Sequence, residues 1–129
     1  MDHLIIAQTE HTPHVSFLSN GIMEINGKSI DQNSVAFWQP IISWVKAYSV
    51  QPAKKTCLNL FIDSMDTSSS SALVEVIYVL NDILKDGHMV HVHWNYEEND
   101  LDMFELGKDI EQLTQIVFEF DVLKPFPIA

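Results

Sequence analysis

The stretch Cys57 to Leu84 reads CLNLFIDSM-DTSSSS-ALVEVIYVLNDIL. Its opening is a nearly continuous apolar run. The run predicts a central strand over Cys57 to Ser64, covered on both faces. Its close sets Leu73, Val74, Ile77, Tyr78, Leu80, Ile83 and Leu84 on one helical stripe. Between them stand Asp66 and five consecutive hydroxyl residues, Thr67, Ser68, Ser69, Ser70 and Ser71. Asp86-Gly87 punctuates the end of the helix. The segment HMVHVHW, His88 to Trp94, then supplies another strand. The connection is short enough for a strand–helix–strand unit, which sets its two strands in parallel.

Working outward, LIIAQ (Leu4 to Gln8) reads as a strand. HVSFL (His14 to Leu18) and IMEIN (Ile22 to Asn26) alternate apolar and polar residues as half-buried strands do. Ser19-Asn20-Gly21 supplies turn chemistry for a hairpin between them, and Gly27 ends the second arm. Asn33 and Ser34 offer helix caps. Phe37, Trp38, Ile41, Ile42, Val45 and Tyr48 then recur at helical spacing. Pro40 lies within that pattern, where it either kinks the helix or marks its true first turn. Beyond Trp94, the acidic EENDLDMFELGKD predicts a loop and a short helix. IVFEFDV (Ile116 to Val122) predicts the last strand and KPFPIA a tail. The expected fold class is α/β: one domain over residues 1–129, a single mixed sheet of about five to six strands with helices packed on it.

The totals narrow the partners. The chain has 129 residues, 7 basic and 18 acidic, for a formal net charge of −11. Nucleic acid and anionic membrane would repel that surface, since both are bound through Lys and Arg. No apolar run approaches membrane-spanning length and no secretory pattern opens the chain, so a cytoplasmic location is expected. Cys57 is the only cysteine and reads as an inert thiol within its apolar run.

The hydroxyl run admits several readings. A cap residue accepts a hydrogen bond from the free N–H groups of the first turn, and Thr67 to Ser69 lie where a cap belongs. One cap explains one hydroxyl and leaves four. A nucleophile elbow needs flanking glycines that are absent here. A phosphate cradle needs glycines and a lysine, and the nearest lysines, Lys54, Lys55 and Lys85, lie outside the cluster. Covalent phosphorylation needs neither. A phosphate on the first turn sits by the positive end of the helix dipole and changes what docks on that corner.

Here the sequence resembles a known family. LNLFIDSMDTSSSSALVEVI and VHVHWNYEENDLDMFELGKDI, with TPHVSF, INGKSI and FWQPIISWV upstream, are similar to the SiaC family of bacterial regulatory phosphoproteins, which act in biofilm and aggregation control. The resemblance covers nearly the whole chain. It implies a STAS-like fold, a partner-switching role without catalysis, and no cofactor. It also implies phosphorylation of Thr67, with Asp66, Ser68, Ser69, Tyr96, Glu97 and Glu98 at the partner-binding rim. The implied partners are a diguanylate cyclase effector, a Ser/Thr kinase and a PP2C-type phosphatase. Asp66 replaces the asparagine usual in the family and Ser71 replaces its lysine, so this corner is the more acidic.

Two other readings compete. His91 and His93 are two apart on a strand and share a face. With a carboxylate from the acidic stretch they would suit a small metal-dependent enzyme. The blandest alternative is a structural adaptor whose serines only cap a helix. A calcium loop in NDLDMFELGKDIE fails, because Glu105 stands where glycine is needed and Phe104 where a ligand is needed.

Overall fold

Alternating burial, not a uniformly covered run, marks the central strand. In the computed structural model, which describes residues 1–123, Thr56, Leu58, Leu60 and Ile62 point inward while Lys55 and Asn59 are exposed. The chain forms β1 (Leu4–Ile6), β2 (His14–Phe17), β3 (Ile22–Ser29), α1 (Ser34–Tyr48), β4 (Lys55–Met65), α2 (Thr67–Lys85), β5 (Met89–Glu97), α3 (Leu101–Gln112) and β6 (Phe118–Leu123). The tail expected from Lys124 onward lies outside the described residues.

The six strands lie in sequence order, β1-β2-β3-β4-β5-β6. The first two pairings are antiparallel and the last three parallel. Each parallel step moves one strand in the same direction. Right-handed crossovers therefore put α1, α2 and α3 on one face of the sheet. The register agrees: Met23 pairs with Leu58, Leu58 with Val92, and Val92 with Phe118, all buried. They join Trp38, Ile41, Leu73, Ile77, Leu80 and Ile110 of the helices in one core. Covering both faces would have required helices on either side, which this strand order does not produce. A one-residue slip would turn Leu58 and Leu60 outward, each losing about 1.5–3 kcal/mol of burial.

Several local expectations shift. Gly27 does not end β3. It adopts φ +131°, the register slips between Gly27 and Lys28, and the strand continues to Ser29. A left-handed φ suits a bulge at glycine and extends the strand past it. Pro40 stands inside α1, well beyond its first turn. Asn33 occupies the N-cap position of α1 without a side-chain cap bond. The short helix of the acidic stretch is α3, with 12 residues.

Other turns follow the sequence closely. Leu18 N donates to Ile22 O across the Asn20-Gly21 turn, where φ at Gly21 is +97°. α2 closes with Gly87 at φ +98°, Gly87 N donating to Leu84 O and His88 N to Ile83 O. Those two bonds are the Schellman arrangement and satisfy the last carbonyls of the helix. Trp94 anchors α3: it is buried, donates from Nε1 to Met103 O at 3.1 Å, and stacks on Phe118.

Candidate functional site at the start of α2

The run of hydroxyls divides by helical spacing. Thr67 is the first residue of α2, directly beyond the C-terminal end of β4, and is exposed. Ser68 and Ser71 are exposed as well, and Ser70 is half-buried. Ser69 is fully buried, on the same helix face as Ala72, Leu73 and Val76. Residues at i, i+3, i+4 and i+7 share a face, so a run of identical chemistry is sorted into inward and outward members.

The cap is Asp66, not a hydroxyl. Its backbone is extended (φ −81°, ψ 173°) and its Oδ1 accepts from Ser69 N at 2.7 Å. Asp66 Oδ2 lies 2.8 Å from the Ser34 hydroxyl, which also lies 2.6 Å from Asp31 O. Burial acts to raise the Asp66 pKa. Hydrogen bonds from Ser69 and Ser34 outweigh it and hold the carboxyl below its ordinary range. An ionised carboxylate also suits the positive end of the α2 dipole. The three hydroxyls left on the surface are therefore not needed to start the helix.

Ser69 serves the interior. Its Oγ lies 2.6 Å from Ser29 Oγ and donates to Ser29 O at 3.0 Å, while Trp38 Nε1 donates to Ser29 Oγ at 2.9 Å. That network joins the end of β3, α1 and the start of α2. Ser69, expected at the helix start and the partner-binding rim, is here a sealed side chain that frames the helix start from within. Ser29 and Trp38 were not marked as site residues by sequence, since no local pattern pairs residues forty positions apart.

A shallow groove of about 180 Å³ runs between α1 and α2. Val35, Trp38, Ile42 and Ala72 give it an apolar lining, and Ser68, Ser71 and Glu75 a polar one. Val35 is 68% exposed, an apolar side chain left uncovered on this corner.

Tyr96 and Glu97 close β5 at its C-terminal end, and Glu98 follows it. Because β4 and β5 are parallel, they lie on the same edge of the sheet as Asp66 and Thr67. Glu97 and Glu98 are exposed. Tyr96 is half-buried, and its ring packs on Phe104 of α3 at 5.1 Å. Next to them Asp100 caps α3, accepting from Met103 N at 3.2 Å.

The histidine reading is rearranged. His91 and His93 do share the face of the sheet opposite the helices, but the carboxylates beside His93 come from β6, not from the acidic stretch. His93 Nδ1 lies 2.9 Å from Glu119 Oε2 and 3.5 Å from Asp121 Oδ2. His91 is exposed and does not belong to that group.

The fold and the corner together describe a small α/β domain that presents a hydroxyl to solvent where a strand gives way to a helix. The chain belongs to the SiaC family, since residues 6–123 match the family described as SiaC family regulatory phosphoprotein. It is 24% identical over 113 residues to an uncharacterised protein of Pseudomonas aeruginosa, covering 87% of this chain and 90% of that one. Its fold is similar to SiaC of P. aeruginosa: TM-score 0.82, 23% identity, 97% of this chain and 100% of the other. It is also similar to a chain in the complex of the P. aeruginosa diguanylate cyclase SiaD with its activator SiaC. There the TM-score is 0.87 at 22% identity, over 93% of this chain and 99% of the other. At such identities the structural likeness speaks for the fold.

Proposed function

We propose that this chain is a non-enzymatic partner-switching phosphoprotein whose unmodified form binds and activates a diguanylate cyclase. Phosphorylation of Thr67 by a Ser/Thr kinase releases the cyclase, and a PP2C-type phosphatase restores binding. The observation that carries this reading is the position of Thr67: exposed, first in α2, and next in sequence to Ser68, which lines the groove between α1 and α2. Membership of a family of regulatory phosphoproteins supports it, as does the activator role of P. aeruginosa SiaC toward its cyclase.

The physical step is electrostatic. A phosphate adds about −1.5 to −2 charge at neutral pH. On the first turn, the helix dipole favours that charge, so the domain stays folded. The same charge arrives between Asp66 and Ser68, and Ser68 lines the groove together with Glu75. A partner seated on Val35 would have to desolvate that charge. Asp66, Ser68, Glu97 and Glu98 would extend the contact along the rim, with Tyr96 held against α3.

The test is incubation with the cognate kinase and ATP, followed by mass spectrometry and cyclase pull-down. One phosphate on Thr67, none on Thr67→Ala, and loss of the cyclase on modification are expected. Full modification of Thr67→Ala would reject the site. A cyclase bound equally by both forms would leave only an adaptor.

A further inference from the structure

We propose that His93, Glu119 and Asp121 form a binding site for a divalent transition-metal ion on the open face of the sheet. The site is separate from the α2 corner and does not depend on the switching role. The register builds it. β5 and β6 are parallel, with His93 directly opposite Glu119, and Asp121 two residues further along the same face. Adjacent strands hold both backbones, so only side-chain rotations remain to be fixed.

Two of the three ligand separations fit one metal. Ligands at about 2.0–2.2 Å from an ion, at tetrahedral to octahedral angles, stand about 2.8–3.6 Å from one another. His93 Nδ1 is 2.9 Å from Glu119 Oε2 and 3.5 Å from Asp121 Oδ2, and the three ligand atoms all fall within 4.8 Å. The donor set is one imidazole and two carboxylates, whose two negative charges balance a dication. An imidazole favours zinc, copper, iron(II) or nickel over magnesium and calcium. Three protein ligands leave coordination positions open, and the side chains are 39%, 70% and 54% exposed, so those positions face solvent.

Charge supports the same conclusion. Among the described residues, the ion pairs of Glu119 and Asp121 are both to His93. Two carboxylates thus lie together on one strand face of an acidic protein, around a single imidazole. A dication between them removes the repulsion.

The experiment is calorimetric titration of the full chain with zinc chloride, and with magnesium chloride for comparison. One equivalent of zinc is expected, with magnesium at least ten-fold weaker. His93→Ala and the double variant Glu119→Gln/Asp121→Asn should each weaken zinc at least ten-fold, while His91→Ala leaves it unchanged. Thermal unfolding without metal reports whether each variant folds; if His93→Ala does not, the carboxylate double variant carries the test. The proposal is overturned by no zinc binding, or by zinc binding that survives in the folded variants.

Discussion

Asp66 Oδ2 lies 2.8 Å from Ser34 Oγ, so the residue that caps α2 also holds the first residue of α1. The strand-to-helix corner and the neighbouring helix start are thus one unit. A charge placed on Thr67 is added next to the carboxylate that joins them.

Removing that carboxylate should loosen both ends. Asp66→Ala loses the bond to Ser69 N and the contact to Ser34, and should lower the unfolding free energy by about 1–2 kcal/mol. Asp66→Asn keeps a capping oxygen and should lose less. Urea denaturation of the three proteins checks the order.

The same group has a pH signature. Hydrogen bonds from Ser69 and Ser34, outweighing burial, hold its pKa below the ordinary 3.8. A depressed folded-state pKa adds stability that is complete above the unfolded value and is lost as pH falls through the folded one. The stability gap between wild type and Asp66→Asn should therefore be full at neutral pH and shrink as the pH drops toward and below 3.8. Paired melting curves down that range test it, and a gap that widens in acid would contradict the linkage.

Adjacent serines should behave differently. Ser69→Ala breaks the buried bonds to Ser29 and should lose about 1–3 kcal/mol. Ser68→Ala, on the surface, should change stability by less than about 0.5 kcal/mol. Denaturant midpoints of the two variants separate a sorted run from a uniform one.

Gly107 makes room for Trp94. A Cβ there would stand 2.6–2.8 Å from the indole ring. In an exposed helix Ala is favoured over Gly by about 1 kcal/mol. Here overpacking should win and Gly107→Ala should destabilise by about 1–3 kcal/mol. A lowered unfolding midpoint is the expected reading, and a raised one would show that α3 gives way freely.

Much of this architecture is legible in the sequence because the signals are local. Asn20-Gly21, Asp86-Gly87 and the stripe from Leu73 to Leu84 each carry their own geometry. The apolar run of β4 misleads: Phe61, on the uncovered face and only half-buried, makes a one-sided strand look two-sided. Strand order, a non-local property, decides coverage. The candidate site divides in the same way. The place of the hydroxyl run at a helix start follows from the change in periodicity, and the family resemblance singles out Thr67 within it. The inward turn of Ser69, its link to Ser29, and the meeting of His93 with Glu119 and Asp121 depend on pairings between distant segments.

The most direct measurement compares cyclase binding by the unmodified chain and by the chain phosphorylated on Thr67, at one salt concentration. The expected result is tight binding by the first and at least ten-fold weaker binding by the second, with phosphatase treatment restoring the original affinity. Equal affinity for the two forms, with the phosphate mapped to Thr67, would contradict the switch.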